Sequence, residues 1–210
     1  MIDFSSTPVL PAVTLEDAAC AVEVARALLA GGIRVMEVTF RTPQAAASIR
    51  AIRAQVPTMQ IGAGTLLTPA QLEEASAAGA LFGLSPGFNP RMIRKAQAMN
   101  FPFIPGVMTP GEIEQCLEAG LKVLKLFPAE QIGGPGMLRA LKGPYGHSGV
   151  KFIPMGGILR ENMGAYLEQE NVLCVGGSWL ATPQLIREKR FSDITRKAQE
   201  AIATRRSVPR

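Results

Sequence analysis

The sequence predicts an α/β fold: a closed parallel (β/α)₈ barrel, with residues 1–210 forming a single domain. Three observations predict it. Short apolar runs of strand character alternate with helical stretches eight times along the chain, and such alternation with right-handed crossovers builds a parallel sheet. Each strand-to-helix joint carries turn and cap chemistry, Thr-Pro or Asn-Pro at four of them, which marks where those helices begin. An open doubly wound sheet is the rival, but Gly62-Ala-Gly-Thr-Leu-Leu67 does not complete the dinucleotide fingerprint that would favour it. At 210 residues the chain sits at the small end of the barrel size range.

Taken in order, Val9-Leu-Pro-Ala-Val13 is the first strand, and Thr14 with Asp17 three positions on reads as the N-cap of a helix that stops at Gly31-Gly32. Val35-Met-Glu-Val-Thr39 is the second strand, and Thr42-Pro43 opens a helix to about Gln55. The third strand is Met59 to Gly64, with Thr68-Pro69 opening its helix. The fourth is Leu81 to Ser85, with Asn89-Pro90. The fifth is Phe103 to Gly106, with Thr109-Pro110. Val123 to Phe127 is the sixth, followed by a helix that starts near Gly134 to Gly136 and ends at Gly143-Pro144. Val150 to Pro154 and a polar helix over about residues 160–168 come next. Val172 to Gly176 is the eighth strand, and a last amphipathic helix covers about residues 191–204. Residues 204–210 read as a fraying basic tail.

Composition narrows the function classes. The chain is 47% hydrophobic and 19% charged, enough for a sizeable core. It holds no apolar run long enough to span a bilayer. The N-terminal residues lack the basic and apolar regions of a secretory signal. Cys20, Cys116 and Cys174 are odd in number and far apart, which argues against a disulfide framework and for a reducing, cytoplasmic setting. His147 is the single histidine, in a Gly/Ser-rich loop, and no His/Cys cluster has metal-ligand spacing. The net charge of +5 suits anionic metabolites. With aromatics at 6% and no basic run interleaved with them, nucleic-acid binding has no support.

Two charged residues inside apolar runs carry the functional signal. Alternation along the sixth strand puts Val123, Lys125 and Phe127 on one face. A buried lysine loses its charge readily, and the neutral amine attacks carbonyls to form a Schiff base. On the second strand, Val35, Glu37, Thr39 and Arg41 share a face. If Glu37 and Lys125 both point into the barrel, a candidate acid/base and a candidate nucleophile share one cavity. The same pair could instead be a buried ion pair, which desolvation makes costly. Strands seven and eight end in Gly156-Gly157 and Gly176-Gly177-Ser178, where barrels commonly bind phosphate through backbone N–H groups. Met155 either packs on a substrate or caps the core.

The segments Gly32 to Arg41 and Gly120 to Gly133 are similar to the general-base and Schiff-base segments of the 2-keto-3-deoxy-6-phosphogluconate (KDPG) and 2-keto-4-hydroxyglutarate (KHG) aldolases. Gly62 to Thr65, Ser85-Pro-Gly87, Ile104-Pro-Gly106, Gly156-Gly157 and Gly176 to Ser178 follow in that family's order, so the resemblance spans about residues 8–201. The resemblance implies a class I aldolase on a (β/α)₈ barrel, with no cofactor and no metal. Lys125 would form the imine and Glu37 would be the general acid/base. Arg41 and Thr65 would bind the pyruvate-type carboxylate, with Phe127 and Pro86 shaping the pocket. Gly156, Gly157, Gly177 and Ser178 would hold the phosphate. The implied substrate is KDPG, cleaved to pyruvate and glyceraldehyde 3-phosphate, with KHG cleavage to pyruvate and glyoxylate beside it. A homotrimer is also implied. Met155 stands where sugar-acid-specific members often carry Thr, which leaves the epimeric 2-keto-3-deoxy-6-phosphogalactonate as an alternative. A phosphosugar isomerase or epimerase, or a non-catalytic phospho-metabolite binder, would use the same barrel and phosphate loops without an imine.

Overall fold

The computed structural model describes residues 2, 4 and 7–206. Its strands are β1 (Val9–Val13), β2 (Val35–Thr39), β3 (Gln60–Gly64), β4 (Phe82–Leu84), β5 (Phe103–Ile104), β6 (Gly106–Val107), β7 (Val123–Leu126), β8 (Lys151–Pro154) and β9 (Val175–Gly177). All pair in parallel, in the orders β5-β4-β3-β2-β1-β9 and β6-β7-β8. Two joints close this curled sheet into the expected eight-stave barrel. β5 and β6 are one stave interrupted at Pro105, which has no N–H to give a ladder. Its carbonyl accepts from Lys125 N–H at 2.9 Å, so the stave changes partner from β4 to β7 as it crosses the proline. The other joint links Phe152 N–H to the Asn171 carbonyl at 2.7 Å and Leu173 N–H to the Phe152 carbonyl at 3.0 Å. The eighth strand therefore begins later than its apolar run suggests. Val172 makes only an isolated bridge to Phe152, and the regular strand is Val175–Gly177.

The helices α1 (Ala21–Ala30), α2 (Ala45–Gln55), α3 (Pro69–Ala77), α4 (Pro90–Ala98), α5 (Pro110–Glu118), α6 (Gly134–Tyr145), α7 (Met163–Leu167), α8 (Pro183–Arg187) and α9 (Phe191–Arg206) alternate with the staves. Thr68, Asn89 and Thr109 cap α3, α4 and α5 as expected. Two expected caps are not used. The Thr14 hydroxyl is 2.8 Å from that of Thr39, and Asp17 instead caps a 3-10 turn ahead of α1. Thr42 donates to the Leu15 carbonyl, and α2 starts three residues further on. The helix expected over 160–168 shrinks to Met163–Leu167, and α6 runs one residue past Pro144. The last helix extends to Arg206, so the expected fraying at 204–206 is not seen. Residues 207–210 lie outside the described residues.

Two apolar layers result. Val9, Val13, Met36, Val38, Ile61, Ala63, Leu124, Leu126 and Phe152 face outward under the helices. Leu10, Val35, Phe82, Leu84, Ile104, Ile153, Met155 and Cys174 fill the barrel interior, and Phe4 packs edge-on against Phe82 with ring centroids 5.1 Å apart. Among the described residues no disulfide forms, no helix is long and apolar enough to cross a membrane, and no cluster of metal-ligating side chains occurs.

Candidate active site

Alternation along β2 and β7 delivers the two charged side chains to one interior. Val35 and Glu37 share the inner face of β2, and Lys125 lies between the inward-facing Val123 and Phe127 of its own stave. Only 1% of Glu37 and 4% of Lys125 is exposed, so neither charge is solvated in the ordinary way. Register places Glu37 beside Gly62, and its carboxylate swings toward Gly64. A Cβ on Gly64 would lie 2.7 Å from the carboxyl carbon, so only glycine leaves room there. Glu37 Oε2 is buried with no hydrogen-bond partner among the described residues.

Burial dominates the titration of both groups. It pushes the Glu37 carboxyl above its ordinary value, against the opposing pull of Lys125 and then Arg41. It pushes the Lys125 ammonium below its ordinary value. The Glu37 carboxylate opposes that fall and the Arg41 guanidinium adds to it. Both groups therefore move toward their neutral forms. Lys125 Nζ also sits 5.1 Å from the centroid of the Phe127 ring, within cation–π range whenever the amine is protonated.

Around this pair, Arg41 Nε donates to Thr65 Oγ1 at 3.2 Å. Thr65 holds φ at +56°, a region that β-branched residues rarely enter. In that conformation its hydroxyl meets the guanidinium. Pro86 follows Ser85, whose hydroxyl donates to the Gly87 carbonyl at 2.7 Å and accepts from Gly106 N–H at 3.4 Å. Met155 is buried and folded over Gly176, inside the interior apolar cluster.

The glycines expected at the phosphate lie at the ends of β8 and β9. Gly156 and Gly157 both take positive φ, +96° and +76°. Gly177 is buried with the Trp179 indole against it, and Ser178 is exposed at the rim. Lys122 lies outside the barrel, with Nζ donating to the Ser148 carbonyl, and His147 is exposed in a 3-10 turn. Sequence reasoning missed Glu130, Asn162 and Tyr166, which join the loops after β7 and β8 through side chains 32 and 36 residues apart. Only the loop pairing reveals them.

The sequence profile described as "KDPG and KHG aldolase" matches residues 3–197. This chain belongs to that family. Among KDPG and KHG aldolases it is 47% identical over 194 residues to the 2-dehydro-3-deoxy-phosphogluconate aldolase of Treponema pallidum, covering 92% of this chain and 91% of that protein. It is 44% identical over 195 residues to the KHG/KDPG aldolase of Escherichia coli, covering 93% and 91%. Its fold superposes on the KDPG aldolase of Legionella pneumophila with a TM-score of 0.91, at 39% identity and covering 94% and 95% of the two chains. That crystal structure holds pyruvate captured as a covalent carbinolamine.

Proposed function

We propose that this protein is a class I aldolase that cleaves KDPG to pyruvate and glyceraldehyde 3-phosphate, and KHG to pyruvate and glyoxylate. The observation that carries this reading is the burial of Lys125 and Glu37 in one barrel interior, each pushed toward its neutral form. The covalent carbinolamine of the Legionella pneumophila relative supports the same chemistry.

In this reading the neutral Lys125 amine attacks the C2 ketone. Glu37 in its neutral form gives its proton to the departing hydroxide, so the carbinolamine loses water and leaves an iminium beside a carboxylate, and the iminium takes up the electron pair of the breaking C3–C4 bond. Glu37 removes the C4 hydroxyl proton, directly or through a water, and the aldehyde leaves. Its conjugate acid returns a proton to C3 of the enamine, and hydrolysis frees pyruvate and the amine. Arg41 and Thr65 hold the substrate carboxylate, supported by their contact at the end of β2 and β3. Phe127 and Pro86 wall the pocket. Gly156, Gly157, Gly177 and Ser178 receive the phosphate. This route uses the iminium formed on Lys125 as electron sink and calls on no cofactor. Residues 1–210 act as one domain, in a cytoplasmic homotrimer, as family membership suggests.

The test is borohydride trapping. Reduction in the presence of pyruvate, followed by peptide mass spectrometry, should place a single adduct on Lys125. Folded protein that gives no lysine adduct at saturating pyruvate would sink the imine mechanism and return the isomerase and binder readings. Lys125→Ala should abolish turnover, and Glu37→Gln should slow it by about 10²–10⁴-fold. Met155 favours a second reading of the substrate. Its apolar side chain offers no hydroxyl to choose between C4 epimers. Comparable kcat/KM for KDPG and 2-keto-3-deoxy-6-phosphogalactonate, or a preference for the latter, would support that reading, and strong preference for KDPG would exclude it.

A further inference from the structure

We propose that Glu130, Asn162 and Tyr166 form a clamp that holds the Gly156–Gly157 loop in its anion-binding shape, as positioning residues for the phosphorylated end of the substrate. The inference rests on the reading of Gly156 and Gly157 as phosphate-binding residues.

The clamp begins where β7 and β8 end. Their ladder continues past both strands: Ala129 N–H donates to the Met155 carbonyl at 2.7 Å, and Glu130 N–H to the Gly156 carbonyl at 3.1 Å. The side chain of Asn162 then closes the loop on itself. Its Nδ2 donates to the Gly157 carbonyl at 3.1 Å and to Glu130 Oε2 at 3.3 Å, and its Oδ1 accepts from Leu159 N–H at 2.8 Å. The Tyr166 hydroxyl donates to the same Glu130 oxygen from a fully buried ring. Burial, helped by the Glu130 carboxylate, pushes the phenol above its ordinary value and keeps it a donor. The two loops also touch directly. A Cβ on Gly157 would fall 2.6 Å from that of Glu130, and Gly157 holds φ at +76°.

The consequence follows from peptide planarity. In a trans peptide the C=O and the next residue's N–H point in opposite directions. Tying the Gly156 carbonyl to Glu130 turns the Gly157 N–H away from the β7 loop. Tying the Gly157 carbonyl to Asn162 turns the Ile158 N–H away from α7. Consecutive N–H groups set in this way form a concavity suited to an anion. The clamp thus orients the donors without touching the ligand. It also ties the phosphate loop to the segment that leads out of the Lys125 strand.

The experiment compares full-length Asn162→Ala, Glu130→Ala, Glu130→Gln and Tyr166→Phe with the wild type in three measurements. These are the KM for KDPG, the Kd of inorganic phosphate by ³¹P NMR titration, and the pyruvate concentration that half-saturates trapping on Lys125. In Asn162→Ala and Glu130→Ala, KM and the phosphate Kd should rise about tenfold, the fold-change that a lost charge-assisted hydrogen bond carries. The kcat and the pyruvate half-saturation should stay within about twofold. Glu130→Gln keeps an acceptor for both partners and should recover most of the loss. Tyr166→Phe keeps the buried ring and removes only the hydroxyl, so it reads the clamp even where the alanine variants fail to fold. It should show a smaller rise of the same kind. Unchanged phosphate Kd in Tyr166→Phe and Asn162→Ala, or pyruvate half-saturation rising in step with KM, would overturn the clamp, as would a wild type that does not bind phosphate. Wild type that binds phosphate but traps no pyruvate would instead refute the aldolase reading and leave the clamp standing.

Discussion

At the scale of single residues, the site's chemistry turns on how Lys125 is pushed toward its free amine without losing its partner. Burial lowers its pKa, Glu37 raises it and Arg41 lowers it. Only the free amine attacks a ketone, so the rate of pyruvate imine formation climbs with pH through the Lys125 pKa. Removing a neighbour should move that rising limb in a direction fixed by the neighbour's charge. Glu37→Gln takes away an attraction that favours the ammonium, so the limb should move to lower pH. Arg41→Gln takes away a repulsion, so the limb should move to higher pH. The pH dependence of initial trapping rates reads both shifts, and it reads them from the limb's position, which does not depend on how far each substitution lowers the plateau. Shifts of the same sign in both variants would show that Lys125 does not respond to its neighbours' charges. The two charged residues were legible because a Lys and a Glu inside apolar strand runs violate the ordinary pattern of burial. Met155 was harder to place, since an apolar residue at a barrel mouth suits core and substrate equally. Its packing over Gly176 is a tertiary fact.

At the scale of elements, one device recurs on the staves: a hydroxyl or amide cap, then proline at the first helical position, at α3, α4, α5 and α8. In α5 it becomes a full capping box. Thr109 Oγ1 accepts from Glu112 N–H, and the Glu112 carboxylate accepts from Thr109 and Met108 N–H. Thr109→Ala should cost about 1 kcal/mol, visible as a lower urea midpoint at unchanged slope. No loss would mean that water replaces the cap at no cost. The same Thr-Pro signature misleads at Thr42, because the cap residue has a competing partner in the Leu15 carbonyl, 27 residues away. Thr14 is diverted in the same manner by Thr39. Local pattern thus located the staves and most helix starts. It failed where a side chain bonds to the end of the neighbouring stave, where Pro105 splits a stave, and at Glu130, Asn162 and Tyr166, which meet only because β7 and β8 are neighbours.

At the scale of the whole molecule, the barrel separates stability from chemistry along its axis. Glu37, Lys125, Arg41, Thr65 and the glycine loops lie in the middle and at the C-terminal ends of the staves. The opposite end is shut by apolar side chains: Val35 and Phe82 open their strands there, and Phe4 is laid over Phe82. Residues at that end of a barrel serve packing more than catalysis. Phe4 is 7% exposed, so truncating it removes a buried ring and leaves a void against Phe82. Phe4→Ala should therefore destabilise the protein by about 3 kcal/mol. Its kcat and KM, measured well below the new unfolding transition, should match the wild type, because the ring touches the floor of the interior and not the amine above it. Urea unfolding and steady-state kinetics on the same preparation decide the matter. A fall in kcat/KM as large as the loss in stability would mean that the floor is mechanically coupled to the Lys125 layer, and that the interior behaves as one packed unit from Phe4 to the imine.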